Sequence, residues 1–508
     1  MKASRTFQPA LCSQIRALRC GIAVFGLTVN GLAADQSLTN APSGEILYTD
    51  SFGRTVKAST NEVPRDLQPP ASVGLKGQIP EVTRGTSLTG AARQRNEESR
   101  EGAKGFKWFP SFNPPLMPYL ASQDVFGNTA IRPGALVSVF PAEPWVQGGK
   151  YWLSQYGLRY SLKQTLTYVN LSDVIKGDNA LGFYTFDLAA KWEVFDAGEA
   201  GTVGWITTQI EAMSGLGTGA QTQDAKSNLG TITDPTGIWS SQEGLRVPEL
   251  AWQQSLHDGQ WVVVAGMINQ GNYFDANNYA QSGRGQFINS ALINTMVMPL
   301  SHYNFGGNVQ FQPRNEWYAM VGGAVGNANA GQPPWTDFSG ESWSLIGEFG
   351  YAPDDFLGCG PGIYRIQPFI ANAPDATQGG LCFNLQQQLG HDSPFGWFGR
   401  FGFGGKDVSG GAAAQIGTGL VMEAPLKHAG LVPKLSNDLL GAGFIWSQPS
   451  ATTKTVYHEN EYGAETFYTL QLSPTLRLQP DLQVVWDRAF NPDSGPATVF
   501  QLQLVLAW

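Results

Sequence analysis

Between Tyr273 and Phe287 the chain gathers Tyr273, Phe274, Asp275, Asn277, Asn278, Tyr279, Gln281, Arg284 and Gln286 into one short stretch. Carboxamides and a guanidinium supply hydrogen-bond donors, the carboxylate and amide oxygens accept, and the rings offer stacking faces. Such a set suits reversible contact with a polar solute that exchanges its bonds with water. An Asn- and Gly-rich surface loop would have the same composition, so both readings stand at this level. Asn289 follows closely and shares the stretch's character. Arg400 and Arg477 are the other cations of note, each set among aromatic or alternating apolar residues. Either could project into a polar interior and meet a carboxylate there, or form an ion pair that only holds a wall in shape. Asp481 is expected near a turn and is assigned no role.

Acid–base, nucleophilic and metal chemistry have little to work with. His257, His302, His391, His428 and His458 are scattered, with no HExxH pair and no G-x-S-x-G around a serine. The expected reading is therefore not an enzyme, with no cofactor and no metal. An adhesin or a plugged binding barrel stays open as another class. Of the four cysteines, Cys12 and Cys20 fall in the first 33 residues and Cys359 and Cys382 remain. An even pair in an exported chain reads by default as a disulfide.

Export follows from the first segment. Lys2, Arg5, Arg16 and Arg19 precede the twelve-residue apolar run Gly21–Leu32, and Gly31-Leu32-Ala33 offers small residues for cleavage. Residues 1–33 thus read as a secretory signal, too short in its apolar part to span a bilayer. From Asp35 to residue 112 there are 10 basic and 9 acidic residues, Pro/Gly punctuation and one short helical candidate near Ala91–Ala103. Residues 34–112 read as a poorly structured extension. Residues 113–508 hold 18 basic and 32 acidic residues in 396, half the charge density of the extension. An acidic exported chain without a basic patch makes nucleic acid an unsuitable partner.

The body must position the polar stretch, and its pattern is one of strands. From Tyr468 to Trp486 every even position is apolar, while Thr469, Gln471, Ser473, Thr475, Arg477, Gln479, Asp481 and Gln483 interleave. Ser473-Pro474-Thr475 breaks this into two strands and a tight turn. Leu158 to Tyr168 repeats the alternation against Arg159, Ser161, Lys163, Thr165 and Thr167, as does Leu502 to Trp508. The apolar face carries Tyr468, Trp486 and Trp508, and Trp252 and Trp261 also suit a membrane-interface girdle. With 14% charged residues, 12% aromatic and 61 glycines, the composition excludes disorder and offers no apolar run long enough for a spanning helix. The remaining fold class is all-β, a transmembrane antiparallel β-barrel. At roughly 20–25 residues per strand and connection, 396 residues make about 16 to 18 strands, the lower count being the working one.

Three stretches carry a resemblance. Ala265-Gly266-Met267-Ile268-Asn269-Gln270-Gly271-Asn272-Tyr273-Phe274-Asp275-Ala276-Asn277, running on to Gln286-Phe287-Ile288-Asn289-Ser290-Ala291-Leu292, resembles the G-K-x-D…Y-F-D-x-N…F-x-N-S-A stretch of the carbohydrate-selective porins of the OprB family. Residues 461–486 resemble that family's closing hairpin, and Gly396–Phe403, with Arg400 between aromatics, its F-x-R-x-G strand. Met267 and Asn269 stand where the family has Lys and Asp, and Gln147-Gly148-Gly149-Lys150 is the nearest remnant of its G-D-W-G-G-x-R opening. The resemblance implies an outer-membrane channel of a Gram-negative bacterium for diffusion of sugars, alternatives being a general or an anion porin. It also implies outer-membrane lipid and lipopolysaccharide as surroundings and delivery to the assembly machinery through the strand ending in Trp508. Under it, Tyr273, Asp275, Asn277, Asn278, Arg284, Asn289, Arg400 and Arg477 become candidates for lining the pore or touching sugar. A net charge of −14 over residues 113–508 disfavours the anion channel.

Overall fold

The computed structural model describes two early strands, residues 135–136 and 153, and the chain from 156 onward. Excepted are 197–201, 217–223, 238–243, 326–341, 406–410, 451–454 and a few single or paired positions, Trp508 among them. The signal segment, the helical candidate near Ala91–Ala103, the Gln147–Lys150 remnant and the terminal aromatic lie outside the described residues.

Strands β1 (Glu45–Thr49) and β2 (Thr55–Ser59) form a two-stranded sheet. The remaining sixteen are β3 (Leu158–Leu171), β4 (Ala180–Asp196), β5 (Val203–Gly215), β6 (Gly244–Leu256), β7 (Trp261–Ile268), β8 (Asn304–Phe311), β9 (Trp317–Val325), β10 (Trp343–Tyr351), β11 (Gly362–Ala373), β12 (Ala376–Gln388), β13 (Phe395–Gly404), β14 (Ala412–Glu423), β15 (Leu439–Pro449), β16 (Glu461–Gln471), β17 (Leu476–Trp486) and β18 (Ala497–Ala507). Each pairs antiparallel with its neighbours in sequence, and β18 closes on β3, with Leu504 opposite Leu166 and Leu502 opposite Tyr168. The expected barrel of 16 strands is present. Closure leaves no strand edge for lipid to face.

The period of two decides which way each side chain points. In β16 and β17 the odd positions Glu465, Thr469, Gln471, Arg477, Gln479, Asp481 and Gln483 are buried, while Tyr468, Leu478 and Leu482 stand outward. The expected tight turn joins them, Leu476 N–H donating to the Ser473 carbonyl. Asp481 departs from expectation: it lies mid-strand opposite Phe467, facing inward, because it continues the Arg477, Gln479 series. Outside, Trp252 and Trp261 are over a third exposed and lie towards the same end of the wall, Trp252 against Phe195 and Trp261 against Phe311.

Connections differ sharply between the two ends. The three longest, at 216–243, 269–303 and 326–342, leave one end, whereas 197–202, 257–260, 312–316 and 472–475 lie at the other, whose longest connection is 424–438. In outer-membrane barrels the short turns face the periplasm. Residues 224–237 and the 269–303 connection lie in the lumen. There the inner loop 269–303 sets Tyr279, Phe287, Leu292 and Ile293 in an apolar cluster with Phe398 and Phe467 of the wall. Inward-facing glycines make room for it. A Cβ on Gly396 would come within 2.2 Å of the Tyr279 ring, and one on Gly417 within 2.6 Å of the Ala291 carbonyl.

The expected Cys359–Cys382 disulfide is absent. Both thiols are free, Cys382 buried on the inner face of β12 and Cys359 exposed in the turn after β10. Gly390 N–H donates to the Cys359 carbonyl, so Cys359 sits beyond the end of β12. The strand from Cys382 to Gln388 already spans about 20 Å at its rise per residue. A disulfide needs Cα atoms within about 7 Å.

Candidate functional site

The inner loop begins where Asn269 stops β7. Its side chain accepts from Gly271 N–H at 3.1 Å and caps the short 3₁₀ turn Gln270–Asn272, while His302 Nδ1 lies 2.7 Å from the same oxygen and ties the two ends of the loop together. Met267, two residues earlier, faces out of the barrel opposite the outward Leu250. The missing lysine is thus a matter of the wall's outer face.

Asp275 is the loop's hub. It adopts φ +62, in the left-handed region, and its carboxylate accepts from Thr295 N–H at 2.6 Å, Asn384 Nδ2 at 2.6 Å and Arg400 Nε at 3.1 Å. Arg400 also donates to the Asp275 carbonyl, to Gln281 and to the Leu292 carbonyl. Both side chains are 0% exposed. They therefore touch no solute: of the two roles open to Arg400, the structure shows the ion pair that holds shape. A guanidinium fork satisfies several acceptors at once, which is what makes such a buried pair tolerable.

The other candidates extend this scaffold. Asn277 Nδ2 donates to Asn384 Oδ1 at 2.8 Å, and Asn278 N–H to Gln386 Oε1 at 3.0 Å. Asn289 caps the short helix Ser290–Ile293 through Ala291 N–H and reaches Gln483 at 3.0 Å, while its own N–H donates to Glu465. Tyr273 Oη donates to Glu249 at 2.9 Å on the far wall. Arg477 lies beside the loop tip, with Nη1 3.1 Å from where a Cβ on Gly285 would stand. Residues from 272 to 289 thus bind strands β5 and β6 on one side and β12, β13, β16 and β17 on the other. The loop crosses the barrel.

Arg284 points the opposite way from Asp275 and donates to Asp187 of β4. Asp187 belongs to a row that the sequence reading did not assemble. Lys163 of β3 is opposite Asp187, Asp187 opposite Glu211 of β5, and Glu211 opposite Arg246 of β6. Four successive strands at about 4.8 Å spacing therefore present charges of both signs at one level, two adjacent carboxylates flanked by a cation on each side. Glu211 and Lys163 keep partial exposure. Gln209 bridges Asp187 and Glu211, donating at 3.3 and 2.9 Å, and Arg246 Nη1 donates to Tyr303 Oη at 3.3 Å.

Arg246 enters this row through a bulge. Gln209 is opposite Glu249 but Glu211 is opposite Arg246, so β6 carries one residue more than β5 across the step. Below it the inward residues are odd: Glu249, Ala251, Gln253 and Ser255. Above it Arg246 turns inward, while Leu245 and Val247 stand exposed outside. Pro248 occupies the step, where a residue without an N–H costs no ladder bond. Towards the short-turn end, Lys191 Nζ sits 3.9 Å over the inward-facing Trp205 ring and donates to Gln253.

A profile of the carbohydrate-selective porin, OprB family, matches residues 184–506. The chain belongs to this family. Porin AaxA of Chlamydia caviae is 27% identical over 243 residues, 45% of this chain and 50% of that protein. Porin AaxA of Chlamydia felis is 27% identical over 240 residues, 44% and 50%. The chain spans about half the length of these curated relatives. A high-pH structure of Pseudomonas putida OprB superposes with a TM-score of 0.59 at 15% identity, covering 71% of this chain and 96% of that one. That likeness is one of fold. Family and barrel together mark this as an outer-membrane protein of the porin kind. The loop across the lumen and the charged row of β3 to β6 lie together inside this barrel.

Proposed function

We propose that this porin conducts sugars passively across the outer membrane, through the space between the inner loop and the wall of β3 to β6. The observation carrying this reading is the division of labour across the lumen. On the β12 to β17 side the loop is sealed by buried bonds, Asp275 to Arg400 foremost. On the β3 to β6 side, Lys163 and Glu211 are only partly buried and keep some contact with solvent. Two donors, Lys163 and Arg246, flank two acceptors, Asp187 and Glu211, along that row, and a solute whose every hydroxyl both donates and accepts can use either kind. A channel needs sites that replace water without holding the solute tightly, and a row of charged and amide groups at a wet surface does so.

The reading extends to residues 1–33 as a cleaved export signal, to residues 34–112 as an extension, and to lipopolysaccharide and the assembly machinery as encounters of the body. Liposome swelling with glucose, a disaccharide and small anions, followed by reversal potentials in planar bilayers, tests it. Glucose-driven swelling with weak ion selectivity is the expected result. Strong anion selectivity with no sugar flux would overturn it in favour of an anion porin.

A further inference from the structure

Arg246 is 5% exposed, yet among the described residues its Nε and Nη2 atoms have no hydrogen-bond partner. Its one side-chain hydrogen bond among them is Nη1 to Tyr303 Oη. Tyr303 itself holds φ +61, a left-handed backbone that a bulky residue adopts at a cost. Two departures from ordinary construction, the bulge at Pro248 and the strained Tyr303, therefore converge on one guanidinium and leave two of its donors open. Buried donors without partners are unfavourable in the empty protein and become favourable once something accepts from them.

Resting on the sugar-channel reading, we propose that Arg246 and Glu211 form the specificity-determining subsite of the constriction, gripping a neutral polyhydroxyl solute by adjacent hydroxyls. The guanidinium fork donates to two hydroxyl oxygens, and the Glu211 carboxylate, directly opposite on β5, accepts from their protons. Charge selects a neutral ligand over an anion. Around the subsite Lys163, Arg246 and Arg284 face Asp187, Glu211 and Glu249, three charges of each sign. An anion drawn to Arg246 meets Glu211 across the strand pair, whereas a hydroxyl bridges the two. The solute class is a sugar or other polyol with vicinal hydroxyls.

Glucose occlusion of single-channel current, titrated in the purified porin and in variants, tests the assignment. Arg246→Gln removes the fork, Arg246→Lys keeps the charge but not the fork, and Glu211→Gln is isosteric and preserves packing. Both Arg246 variants are expected to weaken glucose binding about tenfold, as loss of charged hydrogen bonds implies. Glu211→Gln is expected to weaken it several-fold, and Gly405→Ala, in open space, to leave it unchanged. Gluconate and glycine, an anion and a zwitterion, are expected to bind no more tightly than glucose. Unaltered glucose binding in Arg246→Lys overturns the fork, and unaltered binding in Glu211→Gln overturns the pair. Tenfold tighter binding of gluconate or glycine overturns the neutral class. Wild-type protein that glucose neither enters nor occludes removes the sugar channel itself, a result distinct from the others.

Discussion

Arg400→Gln is the most searching perturbation of the scaffold. Arg400 is wholly buried and donates to the Asp275 carboxylate, to the Asp275 and Leu292 carbonyls and to Gln281. The glutamine cannot reach these acceptors, so the Asp275 charge is left in the interior with Asn384 and the Thr295 N–H as its remaining partners. Breaking a buried pair by removing one member costs about 3–5 kcal/mol. The penalty falls on the segment 275–295, whose release from β12 and β13 relieves it. Separate bonds from Glu249, Glu465 and Gln483 still fasten both flanks, so the loop stays in the lumen and gains mobility in its middle. Single-channel recording is expected to show larger open-channel noise and higher conductance than wild type. Asp275→Asn combined with Arg400→Gln removes the stranded charge, and its loss of stability is expected to be smaller than that of Arg400→Gln alone. A quiet Arg400→Gln channel of wild-type conductance would refute the anchoring argument. So would a double variant whose loss equals the sum of the two singles.

Other outcomes are open to direct measurement. Gly396→Ala forces a methyl into the Tyr279 ring and is expected to cost about 1–3 kcal/mol in denaturant unfolding, while Gly405→Ala leaves the midpoint unchanged. Thiol labelling without reductant is expected to modify Cys359 in the folded protein and Cys382 only after unfolding, each as a free thiol by mass. Asp234, in the 216–243 connection, has its carboxyl pushed up by desolvation, against the opposing hydrogen bonds of Thr236. The folded connection therefore binds its proton more readily than the unfolded chain, and this contribution to stability is present at low pH and lost as pH rises through the raised value. Its docking onto Ser290 is expected to tighten on acidification, measured as slower proteolytic nicking near 234, with Asp234→Asn flattening that dependence.

The wall was the legible part. Alternation in β3, β16, β17 and β18 is long, with few exceptions such as Gln164 and Val485, so period and facing could be read directly from residues such as Thr469, Gln471 and Gln479. Asp187 was within reach by the same rule, since it continues the inward series of β4. Arg246 was not, because the bulge at Pro248 inverts parity, and a period of two assigns that residue to lipid. Asp275 and Arg400 were found as chemistry, and a shape-holding ion pair was one of the two roles left open for Arg400, but that each is the other's partner was not readable. Polar side chains that contact a solute and those that bury each other have the same composition, and the distinction lies in pairings more than a hundred residues apart. The disulfide failed for a related reason: an even count says nothing about which end of a strand each cysteine occupies.

The bulge at Pro248 also changes what kinds of genetic event can retune this channel. Facing along a strand is a reading frame of two, and Pro248 is its frameshift. Deleting that one residue would set Arg246 and Glu249 two apart, as Glu211 and Gln209 are, so both would still face the lumen on a regular ladder. Straightening the bulge with the residue count kept would instead turn Arg246 towards the bilayer and bring a valine or leucine to the rim. A change at position 248 that lets the strand run straight can thus exchange a charged aperture for an apolar one with the arginine codon untouched.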